Sequence, residues 1–182
     1  MADIAATLRA TLERQHERIK GQLQLVQETK GEARAAAFLE LRRLLAAHEA
    51  VEQSTMHPTV REATSAADVV KDRVDEEGKA TAAIEELEQF DVDSDDFSER
   101  FAQLAHDVVS HAEAEEHVEL PVYLSRADER ETARVVHALS GVDALAGRIG
   151  TGGIAGPAGF AAMLQQAKAD VASASGSGDP MP

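Results

Sequence analysis

Cysteine and tryptophan are absent from the 182 residues, and the aromatics amount to five Phe and one Tyr. Without cysteine there are no disulfides, no thiolate metal ligands and no thiol nucleophile, which fits a reducing compartment. Basic residues are scarce: 18 Lys and Arg stand against 33 Asp and Glu, a formal net charge of −15. Nucleic acid and anionic membrane surfaces both require clustered Lys and Arg, so this balance argues against either as a partner. No apolar run approaches membrane-spanning length, and the opening MADIAATLRA lacks the charged-then-apolar layout of a signal peptide. A cytoplasmic location is the expectation.

What is present favours helix. Hydrophobic residues make up 43% of the chain, enough to bury a core in a single domain of this length. Ala, Glu and Leu are abundant, and apolar residues recur at i, i+3, i+4 and i+7. The periodicity predicts a first helix over residues 3–28, with Asp3 as N-cap and Ile4, Leu8, Leu12, His16, Ile19, Leu23 and Val26 inward. A second helix starts near Glu32, carries Phe38, Leu41, Leu45, His48, Glu52 and Met56 on one face, and is expected to stop at Pro58. Residues 59–62 read as a capping box opening a third helix, which turns Val70, Val74, Glu77, Thr81 and Ile84 inward and ends near Phe90. The fourth follows the acidic loop DVDSDD, with Phe97, Phe101, Leu104, Val108, His111, Glu115, Val118 and Val122 in one stripe. The fold class is all-α: an up-down-up-down antiparallel four-helix bundle over residues 1–125. An additional helix within 126–148 and a Gly-rich, largely flexible tail over 149–182, with a loose helix at 160–171, complete the expected organisation.

The inward stripes hold ionisable groups where Leu or Val would be expected: His16, His48, Glu52, Glu77, His111 and Glu115. A buried, unpaired carboxylate costs several kcal/mol, so a fold does not keep a set of them without compensation. Two units repeat, His48-x-x-x-Glu52 and His111-x-x-x-Glu115. Residues four apart lie one above the other on a helix, so each unit presents an imidazole and a carboxylate side by side. Counted from the predicted helix ends at about 1.5 Å per residue, the units and His16 fall within one or two turns of a common level. A lone histidine on an apolar face is ordinarily a hydrogen-bonded core residue. Three imidazoles and two carboxylates at one depth instead suit a hard or borderline transition metal, iron best, then manganese or zinc. His106, Glu113, Glu116, His117, Glu49 and His57 turn away from the stripes and are expected in solvent, with Glu119 outside or at the rim. His137 reads as structural.

His16 in QHERIK, His48 and Glu52 in HEAVEQSTMHP, and His111 and Glu115 in HAEAEEHVELP together resemble the bacterial hemerythrin-like (HHE cation-binding) family. The resemblance covers about residues 8–123. It implies a non-haem pair of iron ions, oxo- or hydroxo-bridged, with Glu52 and Glu115 bridging and the histidines as terminal ligands. A ferritin-like site would want paired Glu-x-x-His units, and only Glu13…His16 has that spacing. The departure is in the third helix, where the family usually reads Glu-Glu-His and this chain reads Asp75-Glu76-Glu77-Gly78-Lys79. Gly78 stands where a histidine ligand is expected; Glu77 or a water would fill its place. The function this implies is binding or turnover of a small oxidant, foremost hydrogen peroxide by a catalase-like oxidoreductase. The alternatives are binding or sensing of dioxygen or nitric oxide without turnover, and a metal-free helical interaction module.

Overall fold

The computed structural model describes residues 3–62, 67–150 and 159–177. Asp3 is extended, and its carboxylate accepts the Ala5 N–H at 3.0 Å and opens α1, Ile4–Glu28. This N-cap satisfies one of the free amides of the first turn. Thr29 and Lys30 are extended, and Gly31, at φ 57°, makes the reversal a residue with a Cβ would resist. From there α2 runs Gly31–Arg61, and α3 spans Ala67–Leu87. Ser94 caps α4, Asp95–Ala114, by accepting the Phe97 N–H. A single π-helical turn, Glu115–Glu119, follows, then α5, Leu120–Leu124. Asp128 and Glu131 form a capping box that starts α6, Glu129–Ser140. Helix α7, Val142–Arg148, and helix α8, Phe160–Ser177, complete the described elements. Among the described residues every regular element is helical, and no helix is long and apolar enough to cross a membrane.

Helix α2 is the axis of the packing. It lies against α1, α3, α6, α7 and α8, while α4 packs on α1 and α3. Between Leu44 and Glu52 every residue of α2 is buried, so this stretch has no solvent face to receive polar groups. One end of the core is filled by Phe38, Phe97 and Phe101, with ring centroids 5.2 to 6.0 Å apart. Offset and edge contacts of this kind add to the area they bury.

Several boundaries differ from the sequence expectation. Pro58 lies inside α2, which continues to Arg61, so residues 59–61 close the second helix rather than cap the third. The third helix begins at Ala67 among the described residues, with 63–66 outside them. Val74 and Val118, placed inward by periodicity, are exposed, at 41% and 48%. Of the tail expected to be flexible, residues 151–158 and 178–182 lie outside the described residues. The loose helix expected at 160–171 is α8, which runs on to Ser177 and has Phe160, Met163, Leu164, Ala167 and Val171 buried against the rest of the core.

The exposure of Val118 has a local cause. Pro121 has no N–H to give the carbonyl four residues back, and its ring crowds that carbonyl. The chain accommodates this with the π turn, in which the Leu120 N–H reaches the Glu115 carbonyl five residues away. One residue is thereby inserted, and the inward phase shifts from Val118 and Val122 to Glu119 and Tyr123. π turns of this kind are common at functional sites.

Candidate metal centre

The stretch from Ala46 to Ala50 carries His48 and Glu49 in a small-residue context, which lets neighbouring helices approach closely. His48, Glu52, His16 and Glu115 are each exposed by no more than 2%. Their ligand-type atoms all lie within 4.8 Å of one another. Glu115 stands at the centre. Its Oε2 is 3.1 Å from His16 Nε2 and 4.0 Å from His48 Nε2, while its Oε1 is 2.9 Å from His111 Nε2. Glu52 shares this character: Oε1 is 3.4 Å from His48 Nε2, and its carboxylate also groups with Glu49 and His111. The cluster therefore has two poles joined by two carboxylates, one facing His16 and His48, the other facing His111.

The second pole is richer than periodicity suggests. Glu77 points inward from α3 and groups with His111 and Glu115. His57 and Glu119, expected in solvent or at the rim, are each 1% exposed, and Glu49 is also buried. His57 Nε2 is 3.4 Å from both Glu77 Oε1 and Glu119 Oε1. Gly78 faces outward, and a Cβ there would meet nothing within 4 Å. His106, Glu113 and His117 are exposed as expected, and so is His137, which the sequence assigns a structural role. Glu116 is only partly exposed, because its carboxylate sits 2.6 Å from His16 Nδ1. Glu76 does the same for His111, at 2.9 Å from Nδ1. Both imidazoles are thus held from outside and present Nε2 to the interior, the arrangement that orients metal-binding histidines.

Burial dominates the electrostatics. It lowers His48 to about 3, aided by the neighbouring His16, and lowers His57 to about 4. Burial also raises Glu119 to about 8 and Glu77 to about 7, and pushes Glu49 and Glu52 well above the carboxylate range. His111 is the exception: against its burial, the Glu115 carboxylate raises it to about 11, and His111 in turn holds Glu115 low despite its own burial. A cluster of acids this crowded retains protons where a cation is lacking.

Its donor atoms fit a metal. His16 Nε2, His111 Nε2, His57 Nε2 and both oxygens of Glu52, Glu115 and Glu119 are buried without a hydrogen-bond partner. Unpaired buried polar atoms are rare in folded proteins, and ones converging on shared points call for a ligand. The set is nitrogen and oxygen with no sulfur, which suits iron or manganese. The sequence model of the hemerythrin HHE cation binding domain matches residues 7–123. The chain belongs to this hemerythrin family. No curated protein and no solved structure matches it. The hemerythrin match ends at the residue that follows the π turn by one α-helical turn, so it includes both poles and leaves α6, α7 and α8 outside. Hemerythrin domains bind metal, usually iron, and the buried His and Glu clusters are the candidate sites for it here.

The residues that periodicity missed share a reason. His57 and Glu49 lie on faces of α2 that would be solvated in a helix packed on one side only. Glu119 is reached only through the π turn. Pro121, two residues beyond Glu119, is the one local signal of that phase slip.

Proposed function

We propose that the chain is a non-haem di-iron protein that turns over hydrogen peroxide. Two irons would be held in an up-down-up-down bundle of the four long helices, with His16, His48, Glu52, Glu77, His111 and Glu115 among the ligands. The observation that carries this reading is Glu115, whose two oxygens face different histidines, 3.1 Å from His16 and 2.9 Å from His111. A carboxylate so placed suits two ions rather than one. Charge supports the same count: Glu49, Glu52, Glu77, Glu115 and Glu119 would bring five negative charges if all ionised, and two divalent ions bring four positive ones.

Iron, when bound, supplies a redox-active Lewis acid at the cluster. The chain's own residues supply access and protons. A cavity of about 350 Å³ reaches His111, Glu49 and Glu77 between walls that include Leu45, Ile84, Leu104 and Val108. Its lining also includes the charged Glu76, Lys79 and Asp107. Glu49, which is not among these ligands and is raised by burial, can hold a proton and exchange it with an oxygen of a substrate in this cavity. Disproportionation turns two peroxides into two waters and one dioxygen, so it balances without an outside reductant.

The test is iron content, optical spectrum and oxygen evolution from peroxide on the purified protein. Two irons per chain and sustained oxygen release are expected. Tight binding of dioxygen or nitric oxide with no turnover of peroxide would replace this reading with a gas-binding one. Metal content unchanged in His48→Ala and His111→Ala would sink the metal site altogether.

A further inference from the structure

The second pole has more donors than the repeated His-x-x-x-Glu units provide. His57 approaches from the last turns of α2, Glu77 from α3 and Glu119 from the π turn. The Nε2 of His57 lies 3.4 Å from one oxygen of each acid. His57, Glu115 and Glu119 have ligand-type atoms within 4.8 Å of one another, and Glu77, His111 and Glu115 do likewise. None of these contacts satisfies His57: both its ring nitrogens and both Glu119 oxygens lack a hydrogen-bond partner, as does Glu77 Oε1. Core residues that merely satisfied one another would form hydrogen bonds, since burying such groups unpaired costs free energy.

We infer that His57 and Glu119 are metal ligands on the His111 side of the cluster, where they share Glu115 with the group of Glu77 and His111. The inference rests on the two-ion reading above. It assigns the second pole an imidazole from α2, at the pole where α3 offers the outward-facing Gly78 and no histidine. Two features of the chain build the site. The π turn forced by Pro121 rotates Glu119 inward, and the continuation of α2 through Pro58 keeps His57 in helical register, buried at 1% exposure. A separate cavity of about 470 Å³ touches His57 and Glu77, together with Gln53, Gly78, Arg61 and Lys168. The pole faced by His16 and His48 has no contact with it. The ligand is a divalent first-row metal ion, for which mixed imidazole and carboxylate donors are suited.

Cobalt(II) titration of the metal-free full chain tests this, read by bound equivalents and by visible cobalt bands that report coordination. The wild type is expected to take two equivalents. His57→Gln and Glu119→Gln should each weaken one equivalent by at least ~10-fold and change its bands, leaving the other as in wild type. His48→Ala should weaken the opposite equivalent. Far-ultraviolet circular dichroism of the metal-free variants checks folding, and if one does not fold the other decides. Two equivalents bound with wild-type affinity and bands in the folded variants would overturn this inference and leave the di-metal reading intact. A wild type that takes up no cobalt and no iron would overturn both.

Discussion

The imidazole of His16 is gripped from outside by Glu116, whose Oε1 lies 2.6 Å from Nδ1. Nε2 is thereby left facing Glu115 Oε2 at 3.1 Å. Glu116 comes from the π turn and His16 from α1, so the contact also ties two helices at the level of the cluster. Glu116→Ala would free the ring to rotate and reduce its basicity. Metal affinity at the pole facing His16 and His48 is expected to fall ~10–100-fold, with helix content unchanged. Isothermal titration of the variant with iron(II) under anaerobic conditions would show it; wild-type affinity would mean the contact is incidental.

Metal-free protein should lose stability as pH rises from 6.5 to 8. Burial raises Glu77 to about 7 and Glu119 to about 8, so the folded state holds protons that the unfolded chain has already released above the ordinary carboxylate range. His111, raised to about 11 by Glu115 against its burial, likewise stays protonated when folded and neutral when unfolded across this window. In each case the native state binds more protons, so stability falls with rising pH. His48 and His57, lowered to about 3 and about 4 by burial, are neutral when folded, and their unfolded forms lose their remaining protons just above the ordinary 6.5, so they oppose the trend only at the low end of the interval. Bound metal replaces those protons, so the gap in melting temperature between loaded and metal-free protein should widen over the same interval. A gap that narrows toward pH 8 would contradict the assignment of these acids to the cluster.

Gly78 costs helix stability without a steric return. It lies inside α3, and a Cβ added there meets nothing within 4 Å. Gly78→Ala is therefore expected to stabilise the chain by roughly 0.5–1 kcal/mol, from helix propensity and reduced freedom of the unfolded chain. Urea denaturation of metal-free protein measures it, and a loss of stability would reveal a constraint at Gly78 that its surroundings do not show.

Phe101 supports the far end of the core. It stacks on Phe97 at 5.6 Å and meets Phe38 at 6.0 Å, with 2% exposure. Phe101→Ala should cost about 3–5 kcal/mol by leaving a cavity. Because the cluster of His and Glu draws on other residues of α2 and α4, cobalt stoichiometry of the variant that remains folded should be unchanged. Chemical denaturation and metal analysis on one preparation separate the two effects.

How much of this was legible in the residues can be read helix by helix. The repeated units His48/Glu52 and His111/Glu115 follow from four-residue spacing alone, because neighbours on one helix face are set by backbone geometry. The limits of α1 follow from Asp3 at one end and the Thr29–Gly31 break at the other. The departure of α3 from a histidine was visible at Gly78. Periodicity went astray where a helix stopped being regular or stopped having an outside. Val118 and Val122 were assigned the inward face because five-residue hydrogen bonding at 115–119 does not register in a 3.6-residue period.

By itself, then, the sequence determined helical content, the hemerythrin family and the half of the cluster built from residues four apart, since these depend on local geometry and composition. Only the tertiary structure decided that α2 is buried on every face from Leu44 to Glu52 and that α8 covers part of it. It alone brought His57, Glu77 and Glu119 to one point. Those three residues come from three elements, and their meeting depends on how helices dock and on one inserted residue, neither of which is a property of any single segment.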